Sequence, residues 1–401
     1  MHRWLGLGNS LIIVFVCLTG SVLAFEQEIE QAWHPARYFV ASATMPRLPL
    51  AQLAEAVKAS KPEAKIGGFK LYADPARTVE VSLAGGDKEG KGDARSGAGR
   101  MVGGGRPDAG PGKGGKGDKG GKGEGGGPRI FVNPYTAAIT GELNPRDNFF
   151  KTVEQLHRGL VAGKTGKLVM GVNSVVFLFI LSTGLVLWWP TARKALMPRL
   201  KVKWGSGWKR LNHDFHISLG FYAAVFLFIM ALTGIDMSFD WVGAGINKLT
   251  HSPLKRPEPP TSAAPVVAGT APFAADAVLA LACQQAPDAE SYSVQMPKEP
   301  TGSIRVAILR PGAITENATD EVYLDQYSGH VISSQPYVQR PVGQRIRGLF
   351  KPVHTGAIGG LPTKILAFAI GLLGATFPIT GTIMWWNRRR KSQRKAQLQA
   401  A

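Results

Sequence analysis

Apolar positions along this chain are bunched rather than spread. Four windows, 4–25, 168–189, 217–239 and 365–386, are almost continuously apolar, and Asp236 is the one carboxylate within them. A helix needs about 20 residues to cross a hydrocarbon layer of roughly 30 Å. Helices apolar on every side belong in lipid or in a large protein core. The pattern therefore predicts four membrane helices, over 4–25, 168–189, 216–239 (taking in His216) and 365–386.

The segments between these windows have other periods. Leu50, Leu53, Ala54 and Val57 recur at helical spacing, a turn follows at Lys61 and Pro62, and two alternating stretches and "RIFVNPYTAAITGEL" read as strands. Farther on, 274–283 reads as a helix, and "SYSVQM", "SIRVAIL" and "EVYLDQYSGHVIS" as strands. "IFVNPYTAAIT" and "VYLDQYSGHVI" superpose as strand, tight turn, strand. Two small α+β modules of one kind are expected, over 46–147 and 272–336. The first is interrupted at 86–128 by a Gly/Lys-rich insert that cannot bury a core, and we expect it to be a disordered loop.

The net charge of +19 raises the question of a nucleic-acid partner. Its placement answers otherwise. The loop 190–212 carries Arg193, Lys194, Arg199, Lys201, Lys203, Lys209 and Arg210 without an acid, and the tail 387–401 opens with Arg388, Arg389, Arg390 and Lys391. By the positive-inside rule both are cytoplasmic, both termini lie inside, and the modules lie outside. No nucleic acid is needed to explain the charge; the membrane lipid is the expected partner. The same basic surfaces suit an acidic flavin or nicotinamide reductase. Cys17 lies inside the first window and Cys283 in an outer segment, so no disulfide is expected, and no C-x-x-C-H is present to tether a haem covalently.

Taken alone, the first window also fits a secretory leader: His2 and Arg3, an apolar run, then Val22-Leu23-Ala24. A repeat argues for its retention. His2-x-x-Leu5-Gly6 leads to Thr19-Gly20, and His216-x-x-Leu219-Gly220 leads to Thr233-Gly234, each with 17 residues from His to Thr. His157 precedes Thr183-Gly184 by 26 residues, and His354 precedes Thr380-Gly381 by 26, with a Trp-Trp pair after each. The chain reads as a duplicated unit of span, outer module, span.

The topology sorts the four histidines into pairs, His2 with His216 at the inner face and His157 with His354 at the outer. Two neutral imidazoles on facing helices are what a six-coordinate b-type haem needs, the macrocycle supplying four nitrogens. Two non-covalent haems b are therefore expected. Seventeen helical residues rise about 25 Å, which puts Gly20 and Gly234 near the outer pair and Gly184 and Gly381 near the inner. Such glycines can notch a helix for a flat ring or simply let helices pack closely. Twenty-six helical residues would rise about 39 Å, so His157 and His354 should sit on short interfacial segments ahead of their spans. His213 is an alternative inner ligand, His34 and His251 are alternative outer ones, and His330 falls in a turn.

The segments "HRWLGLGNSLIIVFVCLTGSVLAF", "LHRGLVAGKTGKLV", "STGLVLWWP", "HDFHISLGFY", "HTGAIGG" and "ITGTIMWWNRRR" resemble the PepSY-associated transmembrane family. It includes iron-regulated inner-membrane proteins and ferric-siderophore reductases with two b haems. The outer modules are similar to PepSY domains, with Asn133 where that domain usually has Asp. The resemblance implies a bacterial inner-membrane protein with periplasmic modules. It would pass electrons from the cytoplasmic side to a periplasmic acceptor, ferric iron chelates first among them. The donor, a flavin or nicotinamide reductase or a quinol, is not encoded. Two other functions compete. One is a haem-free sensor whose modules bind periplasmic peptides or proteases. The other is metal transport, for which Asp236 is the sole carboxylate within the windows.

Overall fold

The computed structural model describes residues 1–42, 45–84, 127–255, 257–263 and 271–400; all but the last two residues of the 86–128 insert lie outside the described residues. The first apolar window is not a single helix. α1 (His2–Gly8) and α2 (Ser10–Ala24) meet at Asn9 at an angle of 65°. Asn9 Nδ2 donates to the Leu5 carbonyl (3.0 Å) and Ser10 Oγ to that of Leu7 (2.8 Å). Polar side chains that bind carbonyls of the preceding turn bend helices. The uninterrupted helix expected over 4–25 is corrected accordingly.

α3 (Glu26–Trp33) and α4 (Pro35–Tyr38) then lead away to the first module, α5 (Leu50–Ser60), β1 (Ile66–Tyr72), β2 (Val79–Leu83), β3 (Arg129–Val132) and β4 (Ile139–Leu143). α6 (Phe149–Gly159) is short and amphipathic. Asn148 Oδ1 caps it by accepting from Phe150 N (3.1 Å), Phe150 packs on Trp33, and Leu160 in left-handed backbone (φ 51°) ends it. α7 (Gly163–Trp188) follows. The basic loop holds α8 (Leu196–Leu200); α9 (Trp208–Asp214) runs through a π turn, Phe215–Leu219, into α10 (Gly220–Ser238). After α11 (Asp240–Leu249) comes the second module, α12 (Ala275–Gln285), β5 (Ser291–Gln295), β6 (Ile304–Leu309), β7 (Asp320–Leu324) and β8 (Val331–Gln335). α13 (Val342–Thr355) ends at Gly356 (φ 77°), and α14 (Gly360–Ala400) closes the chain.

Among the described residues three helical stretches are long and apolar enough to cross a membrane, Gly163–Trp188, Trp208–Ser238 and Ala357–Gln399, and the bent pair adds a fourth if it counts as one span. They pack through small residues, as helices in lipid do. A methyl group on Gly371 would lie 2.4 Å from Ser21 Oγ, and one on Gly374 would lie 2.9 Å from Cys17 Sγ, so α14 and α2 are in backbone-close contact. Ala223 and Leu227 of α10 meet Ile370 of α14 in the middle of the bundle, with Phe177 and Phe377 beside them.

The two modules are not separate sheets. Among the described residues eight strands form one antiparallel sheet in the order β4-β3-β2-β1-β5-β6-β7-β8. At the seam Phe69 stands opposite Val81 on one side and Val294 on the other, which carries the apolar face across from one module to the next. Gly68 fits there because a methyl group would sit 2.3 Å from the Val294 carbonyl oxygen. α5 and α12 cover this face, burying Leu53, Val57 and Val278 completely. Asp276 of α12 joins them further, its carboxylate accepting from Leu50 N (2.5 Å) and Ala51 N (3.0 Å) at the start of α5. Pro49 precedes α5 and has no side chain able to cap it.

The turns at the sheet's two ends match atom for atom. Asn133 Oδ1 accepts from Tyr135 N (2.8 Å) and Thr136 N (3.3 Å), and Asp325 Oδ1 from Tyr327 N (3.0 Å) and Ser328 N (2.8 Å). Each turn then needs a left-handed residue, Ala137 (φ 57°) in one and Gly329 (φ 69°) in the other.

Candidate histidine centres of the helix bundle

Each of four histidines meets the Thr-Gly pair of another helix, in the same way. His157 of α6 reaches α2, where its Nδ1 lies 3.0 Å from Thr19 Oγ1 and 3.1 Å from the Val16 carbonyl. His354 of α13 reaches α10, with Nδ1 2.9 Å from Thr233 Oγ1 and 3.0 Å from the Met230 carbonyl. His2 of α1 reaches α7, with Nδ1 3.1 Å from Thr183 Oγ1 and 3.0 Å from the Ile180 carbonyl. His216, in the π turn, reaches α14, with Nδ1 2.8 Å from Thr380 Oγ1 and the Phe377 carbonyl beside it.

These bonds fix the proton on each ring. A carbonyl oxygen can only accept, so Nδ1 must carry hydrogen. The threonine hydroxyls are already spent as donors on the carbonyls four residues back, Phe15, Phe179, Ile229 and Thr376, and accept from Nδ1–H in turn. With Nδ1–H bound in this way, the neutral imidazole keeps its lone pair on Nε2. A ring oriented through one nitrogen so that the other is free is the usual arrangement of a metal-binding histidine.

The glycines make room for the rings themselves. A methyl group on Gly20 would come 2.9 Å from His157 Cε1, and on Gly184, Gly381 and Gly234 it would come 3.2, 3.3 and 3.6 Å from Cε1 of His2, His216 and His354. The sequence carries no direct sign of the threonines' part as acceptors for the imidazoles, since the 17- and 26-residue spacings relate a histidine to a threonine that it does not meet.

One pair of rings faces directly, and the other pair shares a cavity. The centres of the His157 and His354 rings are 6.1 Å apart, with their planes at 67°. Both side chains lie on short helices outside the long apolar ones, in keeping with the length argument. Burial, aided by the facing His354, pushes the His157 imidazole down to about 4, and burial also lowers that of His354. Both are neutral at pH 7.

His2 and His216 line one cavity of about 440 Å³ together with Gly184 and Gly381. Its walls are apolar and aromatic, with Phe177, Phe377 and Trp385 among them, and Arg3 and Arg388 line it too. Trp188, 5% exposed, is stacked on Phe221 (3.7 Å), and its Nε1 has no partner among the described residues.

The other histidines stand apart from both centres. Residues three apart share a face of a regular α-helix, but the π turn begins between His213 and His216, and the two open onto different cavities. His213 lies 3.3 Å from Asp214 Oδ1 instead. His34, His251 and His330 are exposed. Among the described residues no three or more His, Cys, Asp or Glu side chains gather to hold an ion. Besides Arg3 and Arg388, the titratable groups that the described residues bring to these two places are imidazoles.

Apolar helices long enough to cross a membrane, joined to an antiparallel sheet region, define a membrane protein with a folded extramembrane part. The family model for the PepSY-associated TM region matches residues 1–388, and the chain belongs to that family. No curated protein matches it.

Proposed function

We propose that the chain is a di-haem b protein of the bacterial inner membrane. It would carry electrons from the cytoplasmic side to a periplasmic acceptor, with ferric iron chelates as the leading class. The bent pair α1–α2 counts in this reading as the first of four spans in a duplicated arrangement. Both termini are then cytoplasmic and the sheet periplasmic, as the basic loop and tail favour.

The observation that carries the reading is the fourfold His–Thr-Gly contact, which frees one Nε2 on each ring. A fit test supports it. His157 and His354, with ring centres 6.1 Å apart, are near enough to hold one metal group between them. The cavity between His2 and His216 suits a flat apolar ring with acidic substituents, since it is walled by aromatics and carries Arg3 and Arg388.

His157 with His354, and His2 with His216, would hold the two groups, and Arg3 and Arg388 would bind the carboxylates of the second. A b-type haem supplies a reversible one-electron change at its iron. The chain's own part is to orient the imidazoles through their Nδ1–H groups, to keep them neutral, and to exclude water with Phe177 and Phe377. Two centres at different depths divide one long electron transfer into shorter ones. His216→Ala should remove one haem and leave the other, read as half the b-type absorbance; unchanged absorbance would refute the assignment of His216.

A further inference from the structure

We propose that the basic loop holds a binding site for the phosphate headgroup of an anionic phospholipid. A cavity of about 260 Å³, which shares Ile217 alone with the His2–His216 cavity, lies between the loop and the start of the α9–α10 helix, and Arg199, Lys201, Arg210, His213, Asp214 and Ile217 line it. The charges around it do not cancel. Asp214 is paired with Arg210 (2.8 Å) and also accepts from Lys203 N (3.3 Å). Arg199 donates to the Trp188 carbonyl at the end of α7, which fixes the guanidinium without neutralising it. The Lys201 ammonium has no ion pair or hydrogen bond among the described residues. Two positive charges therefore border the cavity with no carboxylate left to answer them, and an anion is what such a field attracts. Arginine and lysine together suit phosphate oxygens, one as a fork and the other as a point charge.

The level of the cavity favours a lipid over a free ion. Trp189, Trp204 and Trp208, on the segment between α7 and α10, are 73%, 73% and 59% exposed. Exposed indoles flanking membrane helices mark the depth where hydrocarbon gives way to headgroups. Basic pockets between helices at that depth recognise acidic headgroups. Ile217 offers an apolar surface in the same cavity.

The test uses the full chain in mild detergent, stripped of lipid and titrated with phosphatidylglycerol or phosphatidylcholine, with bound lipid counted by native mass spectrometry. One phosphatidylglycerol should be retained where phosphatidylcholine is not. Lys201→Gln should weaken retention roughly fivefold, and Arg199→Gln with Lys201→Gln more than tenfold. Arg199 also ties down the end of α7, so Lys201→Gln, at an exposed and unpaired side chain, is the variant whose fold is safe. Equal retention of the two lipids, or retention untouched by Lys201→Gln, would overturn the proposal. Displacement of the lipid by millimolar inorganic phosphate, with phosphate alone binding as tightly, would assign the cavity to a free ion and overturn it too.

Discussion

Thr19 Oγ1 lies 3.0 Å from His157 Nδ1, a contact between residues 138 positions apart. With the Val16 carbonyl it holds the imidazole in one tautomer and one orientation. Thr19→Val keeps the shape of the side chain and removes the acceptor. Loss of such an outer partner typically weakens a metal group's binding about 10–100-fold. We expect the variant to lose haem at the His157 level while Thr19→Ser retains it, measured as haem per chain after purification.

The four glycines should respond in order of the space beside each ring. Gly20→Ala, with its methyl 2.9 Å from His157 Cε1, must displace the ring, whereas Gly234→Ala at 3.6 Å makes an ordinary contact. Gly184→Ala (3.2 Å) and Gly381→Ala (3.3 Å) fall between. Overpacking of this kind costs about 1–3 kcal/mol. The b-type spectrum and melting temperature should fall most for Gly20→Ala and least for Gly234→Ala.

Asp276 links the two halves of the sheet region by capping the start of α5. Asp276→Ala should cost about 1 kcal/mol, the usual value of a lost helix cap, and Asp276→Asn less. A thermal melt of the full chain checks the ranking.

Asp325 provides a pH-dependent element outside the membrane. Hydrogen bonds from the Ser328, Tyr327 and Ala263 backbone amides hold its carboxyl below the usual carboxylate range, although burial acts the other way. Its contribution is present in full above the unfolded value of about 3.9 and is lost as pH falls through the lower folded value. Asp325→Asn should therefore melt below the unmodified chain at pH 7, by the loss of about 1 kcal/mol. The gap should narrow as pH falls below 4.

The apolar windows and the module strands were legible in the sequence, the first because they are almost continuously apolar and the second because they alternate. The His-to-Thr spacings gave the level of each Thr-Gly pair, outer for Gly20 and Gly234 and inner for Gly184 and Gly381, and left open which histidine meets which pair. The bend at Asn9 was hidden, since Asn and Ser inside an apolar run read as tolerated polar residues until their hydrogen bonds to Leu5 and Leu7 are seen. Fusion of the modules into one sheet was hidden too: the pairing of β1 with β5 depends on a seam far apart in sequence, for which Gly68 is the only local trace. The π turn has no periodic signature, so the separation of His213 from His216 could not be read from their spacing.

In the proposed function two imidazole pairs each grip an iron porphyrin. Haem stoichiometry of the unmodified chain, expressed with ample haem and read by a reduced-minus-oxidised spectrum against protein concentration, tests it most directly. About two b haems per chain are expected, as two centres require; a colourless protein would refute the proposal.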